Sequence, residues 1–139
     1  MATVDEGLFD YLRRSGSLRT LVGDQIYPRG EVDPNATLPR VTYLLVSTMR
    51  SQVLAGATTG KGSLFQIDCW AGDKATAKAV AAAVSALFED GYRGPLGESG
   101  ITSKGTIVVS ESDDDEQAAG GAETGICRVR LDVRIHHAA

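Results

Sequence analysis

Residues 62–90 read GSLFQIDCWAGDKATAKAVAAAVSALFED, a run that contains both a sheet face and the helix to cover it. Over 64–70 the side chains alternate: Phe65, Ile67 and Cys69 on one side, Gln66 and Asp68 on the other. A period of two marks a strand with one buried face. Gly72 breaks it, and Asp73 offers a side-chain oxygen to the free N–H groups of a helix start. Ala77, Val80, Ala81, Val84, Leu87 and Phe88 then recur at helical spacing, with Lys74, Lys78, Ser85 and Glu89 opposite. Such a stripe lies on something apolar, and Gly91 ends the helix. Strand and helix, joined by two residues, pack on each other.

On the N-terminal side, Thr3-Val4-Asp5-Glu6 fits a capping box, and Val4, Leu8, Tyr11 and Leu12 predict a helix to about Arg14, closed by Ser15-Gly16. Ser17 is expected to cap a short second turn bearing Leu18, Leu21 and Val22. Ile26-Tyr27 is brief and stopped by Pro28, and 29–39, with Gly30, Pro34, Asn35 and Pro39, reads as a loop. VTYLLVSTM (41–49) is a full strand by its β-branched and aromatic content. It is joined to the 64–70 strand by a glycine-rich connection.

On the C-terminal side a glycine-rich loop leads to a strand around Thr106–Ser110, followed by an acidic and then small-residue stretch. The final strand alternates strictly, with Cys127, Val129, Leu131, Val133 and Ile135 against Arg128, Arg130, Asp132, Arg134 and His136. The expected fold is therefore α+β: a four-stranded, largely antiparallel sheet with the long helix and the N-terminal helix on one face. One domain spans 1–139, with mobile loops at 51–62, 91–105 and 111–125. The other sheet face is expected to be polar and to carry Gln66, Asp68, Trp70, Arg128, Arg130 and Arg134.

The 139 residues suffice for one core without staples, burying about 68% of the unfolded surface. The 42% hydrophobic and 23% charged content is that of a soluble domain. The longest apolar run, Ala79–Val84, is far short of a membrane span. The opening MATVDEG has neither a basic nor an apolar stretch, so no secretion signal is expected. Cys69 and Cys127 are expected as buried thiols of a reducing compartment. The net charge of −4 is concentrated: without Glu111, Asp113, Asp114, Asp115 and Glu116 there are 14 basic residues against 13 acidic. That is a poor case for nucleic-acid binding by a basic groove.

No catalytic constellation emerges. GATTGKGS (56–63) falls short of a phosphate loop: the glycine spacing is one short, glycine follows the lysine, and a strand follows where a helix is needed. His136 and His137 point to opposite faces of a strand, and Cys127 lies about 30 Å away along it, so no metal site forms there. Asp113–Glu116 lacks the glycine and glutamate positions of a calcium loop. Serine nucleophiles have no base, since both histidines are near the C-terminus and GxSxG is absent. No cofactor is expected. What remains is the polar face, whose tryptophan and arginines are residue types enriched at interfaces.

Several stretches resemble the tail-completion, or tail-terminator, proteins of long-tailed bacteriophages and gene-transfer particles. These are the opening helices running into Leu21-Val22-Gly23-Asp24-Gln25-Ile26-Tyr27-Pro28, then Leu38-Pro39-Arg40-Val41-Thr42-Tyr43. Phe65-Gln66-Ile67-Asp68-Cys69-Trp70 before an alanine-rich helix, and Arg128-Val129-Arg130-Leu131-Asp132-Val133, complete the set. The glycine-rich 91–105 and acidic 111–125 stretches depart from that pattern.

The resemblance implies a non-enzymatic virion protein, assembled in the bacterial cytoplasm, that forms a ring, typically hexameric, on the tail tube. It would stop tube growth and dock the head side. Its partners would be copies of itself, the tail tube protein and the head–tail connector protein, with no membrane and no sequence-specific nucleic acid. Interface candidates are Trp70, Arg128, Arg130 and Arg134, with Asp68 or Asp132 as charge partners and Lys61 on the 51–62 loop. A monomeric connector adaptor and a small-ligand enzyme are the other classes.

Overall fold

A computed structural model describes residues 3–32, 37–52, 58–89, 91–118 and 122–137. Among the described residues three helices, α1 (Val4–Arg13), α2 (Gly16–Val22) and α3 (Lys74–Phe88), accompany six strands. The strands are β1 (Ile26–Pro28), β2 (Arg40–Gln52), β3 (Thr58–Ala71), β4 (Gly94–Pro95), β5 (Thr102–Ala118) and β6 (Ala122–His137). The fold is α+β as expected, but the sheet is six-stranded, mixed and curled into a half-barrel, in the order β1-β2-β3-β6-β5-β4. The four expected strands form its centre, all antiparallel. The additions are β1, parallel to β2 at Val41–Tyr43, and β4, antiparallel to β5. Each is two or three residues long and borrows its ladder from a longer neighbour, so neither has a periodicity of its own to reveal it.

The strands also run further than their sequences suggest. Residues 51–52, 58–62, 102–105 and 111–118, expected as loop, belong to β2, β3 and β5. Poor β-formers such as glycine and aspartate are held there by pairing with the opposite strand rather than by local preference. Of the stretches expected as loops, 33–36, 53–57 and 119–121 lie outside the described residues.

The core is the one read from 62–90. Phe65, Ile67 and Cys69 of β3, Val129, Leu131, Val133 and Ile135 of β6, and the α3 stripe Ala77, Val80, Ala81, Val84 and Phe88 are all buried. Leu8, Leu12 and Leu18 join them from the N-terminal helices. Burial pushes the Cys69 thiol far above its ordinary range, and neither cysteine is in a disulfide.

Caps fix the helix starts. Thr3 Oγ1 accepts from Glu6 N at 3.3 Å and Asp73 Oδ1 from Thr76 N at 2.7 Å. Ser15, not Ser17, caps α2, its Oγ accepting from Leu18 N at 3.2 Å. Gly16 is the first helical residue rather than the terminator of α1.

Residues 94–101 pack across α1. A Cβ at Gly7 would come within 3.1 Å of Ser99 Oγ and 3.3 Å of Leu96, so this helix glycine marks a close approach. Glu98 N donates to Asp10 Oδ2 at 2.5 Å, and Arg14 pairs with Glu98 at 3.2 Å. Gly97 has φ +61°, and a methyl there would overlap the Asp10 carboxylate.

A candidate interface on the helix-free sheet face

The face of β2, β3 and β6 turned away from α3 is organised by register. Arg40, Trp70 and Arg128 stand in one row, since Arg40 pairs with Trp70 and Trp70 with Arg128. The two guanidinium groups lie 5.7 and 5.0 Å from the indole centroid, within cation–π range. Trp70 Nε1 donates to Thr42 Oγ1 at 3.0 Å, which fixes the ring plane. Arg128 is buried, and the Nε of Arg40 is buried without an acceptor among the described residues.

The next row joins Thr42, Asp68 and Arg130. Asp68 is 1% exposed. Its oxygens accept from Arg130 Nε at 3.4 Å and Gln66 Nε2 at 3.2 Å. Of the two carboxylates expected to balance the arginines, the structure selects Asp68. Asp132 instead accepts from Ser110 Oγ at 2.7 Å.

The sheet brings Trp70, Asp68, Arg128 and Arg130 together. Arg134 shares their face but stands six residues beyond Arg128, about 20 Å along the strand, opposite Leu64. Lys61 lies in strand rather than loop, opposite His137. It has the parity of Phe65 and Cys69, so it is on the other face from Trp70.

Sequence reasoning missed Arg40 and Thr42, whose membership depends on register. It also missed the exposed apolar side chains Leu44, Val46 and Met49 of β2 and Ile107 and Val109 of β5. The run Leu44-Leu45-Val46 was a signal for the former, because a one-sided strand would have alternated there.

Two other clusters differ from expectation. Ser63 Oγ lies 2.7 Å from His137 Nε2 and 3.1 Å from Thr48 Oγ1, so a serine does meet a histidine. Ser63 is wholly buried, and its hydroxyl joins β2, β3 and β6 with no face open to a substrate. The acidic stretch is partly tethered: Asp113 pairs with Lys78 at 2.7 Å and Lys74 at 3.9 Å. The Lys78 hydrogen bond holds the Asp113 carboxyl below its ordinary value. Among the described residues no group of histidine, cysteine, aspartate and glutamate could hold a metal ion, and no helix is long and apolar enough to cross a membrane.

The sequence pattern of the family described as "Tail completion protein gp17" matches residues 6–135. The chain belongs to that family. It is a structural protein of the phage tail, located in the virion, and not an enzyme. Among solved structures, the fold is similar to a chain of the "Virion of native gene transfer agent (GTA) particle". The TM-score is 0.70 with 22% identity, over 95% of this chain and 92% of that one. No curated protein matches.

Proposed function

We propose that this tail-completion protein forms a ring, with six copies the expected number, that ends the tail tube and joins it to the head side. The observation that carries the reading is the row Arg40–Trp70–Arg128 on a sheet face that α3 does not cover. Arginine and tryptophan held in place by their neighbours lose little freedom on docking, and they are the residue types that dominate interface energetics.

Contacts around a ring are heterologous, one surface of a copy meeting a different surface of the next. Trp70, Arg130 and Arg134 supply one such surface, with the buried Arg128 set against the Trp70 ring and Asp68 holding Arg130 in the sheet. Lys61, on the opposite face beside the β2–β3 hairpin, reaches the tube or a neighbouring copy. The tail tube protein lies on one side of the ring and the head–tail connector protein on the other.

Trp70→Ala and Arg134→Glu test the reading in assembling tails. Each is expected to reduce the yield of finished tails while the isolated chain keeps a cooperative melt. Unchanged yields from both would count against it. Arg130→Glu is a poorer probe, because it would set a second carboxylate against buried Asp68.

A further inference from the structure

We infer that the ring closes by edge-to-edge strand pairing, the open edge of β2 in one copy joining the open edge of β5 in the next. This rests on the ring proposed above and specifies how its copies meet. The half-barrel has two edges, and each is mostly uncovered among the described residues. β1 covers β2 only at Val41–Tyr43, leaving Leu44–Gln52 open. β4 covers β5 only at Thr102–Ser103, leaving Lys104–Ala118 without a paired strand on that side, although Thr106 Oγ1 donates to Phe88 O and Asp113 pairs with Lys78. An uncovered edge is a row of unpaired N–H and C=O groups.

Proteins that keep such edges free place charges, proline or bulges on them. The open β5 edge is charged at Lys104 and over Glu111–Glu116, but the stretches Leu44-Leu45-Val46-Ser47-Thr48-Met49 and Thr106-Ile107-Val108-Val109-Ser110 contain neither charge nor proline. Both do contain a bulge, but each bulge turns an extra valine outward: Val46 is 50% and Val109 52% exposed. The exposed large apolar side chains of the described residues are Leu44, Val46, Met49, Ile107 and Val109. All of them lie on these two strands and none on the central pair β3 and β6.

The occupant follows from the geometry of the sheet. Register carries Leu44 through Gln66 and Asp132 to Ser110, and Met49 through Gly62 and His136 to Gly105. The open apolar stretch of β2 is thus level with 105–110 of β5. Within one copy β2 and β5 run in opposite directions, each step from β2 through β3 and β6 to β5 being antiparallel. Rotation about an axis along the strands therefore sets β5 of one copy beside β2 of the next, antiparallel and at the same height, which continues the ladder. A second copy pairs Leu44–Met49 with 105–110 in the window between β1 and β4 and covers both apolar strips there; past that window β1 stands at the height of 111–113, where β5 must turn aside.

The test is disulfide trapping in assembled tails. One cysteine replaces Leu44, Val46 or Met49 and another replaces Ile107 or Val109, in a Cys127→Ser background. The inference expects that oxidation of at least one pair gives a ladder of covalent multimers ending at the ring number, with every single-cysteine variant remaining monomeric. If tails contain a closed ring by mass but no pair gives a ladder, edge pairing is wrong and the ring stands. Trapping to a different tail protein would also overturn it. One copy per tail would remove the ring reading, and this inference with it.

Discussion

Asp68 accepts from Arg130 on one side and Gln66 on the other, so Arg130 holds the sheet together as well as facing outward. Removing it strands a buried carboxylate, whose cost exceeds that of the pair it breaks. Arg130 is itself about one-third exposed, which moderates the effect. Arg130→Ala is expected to cost about 2–3 kcal/mol in denaturant unfolding. Arg134→Ala, with no ion pair among the described residues, should stay within about 0.5 kcal/mol. Equal losses would show that Asp68 does not depend on its neighbour.

Asp10 makes a second prediction possible. Its carboxyl is held below the ordinary value of 3.8, first by the Glu98 backbone N–H and then by Arg13 and Arg14. A carboxyl depressed in the folded state stabilises fully above its unfolded pKa, and that contribution is lost as pH falls through the folded one. Between pH 5 and 3 the wild-type chain should therefore lose more thermal stability than Asp10→Asn. Asp73 and Asp113 are shifted in the same direction and steepen the acid limb of both proteins alike. Parallel pH profiles for the two chains would contradict the role of Asp10 in pinning 94–101 to α1.

The secondary-structure elements show what local chemistry can decide. α3, its Asp73 cap and its buried stripe were legible because helix signals are local: a cap, a period and a stop. The alternation of β6 was equally plain, and with β3 it located the polar face. The cap of α2 was not, because two serines bracket Gly16 and only the folded chain shows which hydroxyl reaches Leu18 N. Ser15→Ala should cost about 1 kcal/mol and Ser17→Ala no more than about 0.5 kcal/mol, measured by thermal unfolding. The reverse order would return the cap to Ser17.

The strand extensions were hidden for a different reason. Gly60, Gly62 and Asp113 to Asp115 carry no strand signal, and their conformation depends on a partner far away in sequence. The same dependence concealed the Arg40–Trp70–Arg128 row. Tryptophan and arginines could be named from the sequence, but not the rung on which they meet.

Taken as one body, the described residues form a curled sheet with helices on one side, a charged aromatic row on the other, and two edges left mostly without a paired strand. Membership of the tail-completion family makes this a building block of the virion tail, and no pocket chemistry is needed to explain its parts. Its proposed work is adhesion to copies of itself at the end of the tube. That is decided by native mass, with the purified chain measured alone and with tail tube protein. The expected species is a closed ring, six copies of the 14.6 kDa chain, formed alone or on the tube. A 14.6 kDa species persisting at all concentrations with tube protein present would contradict it.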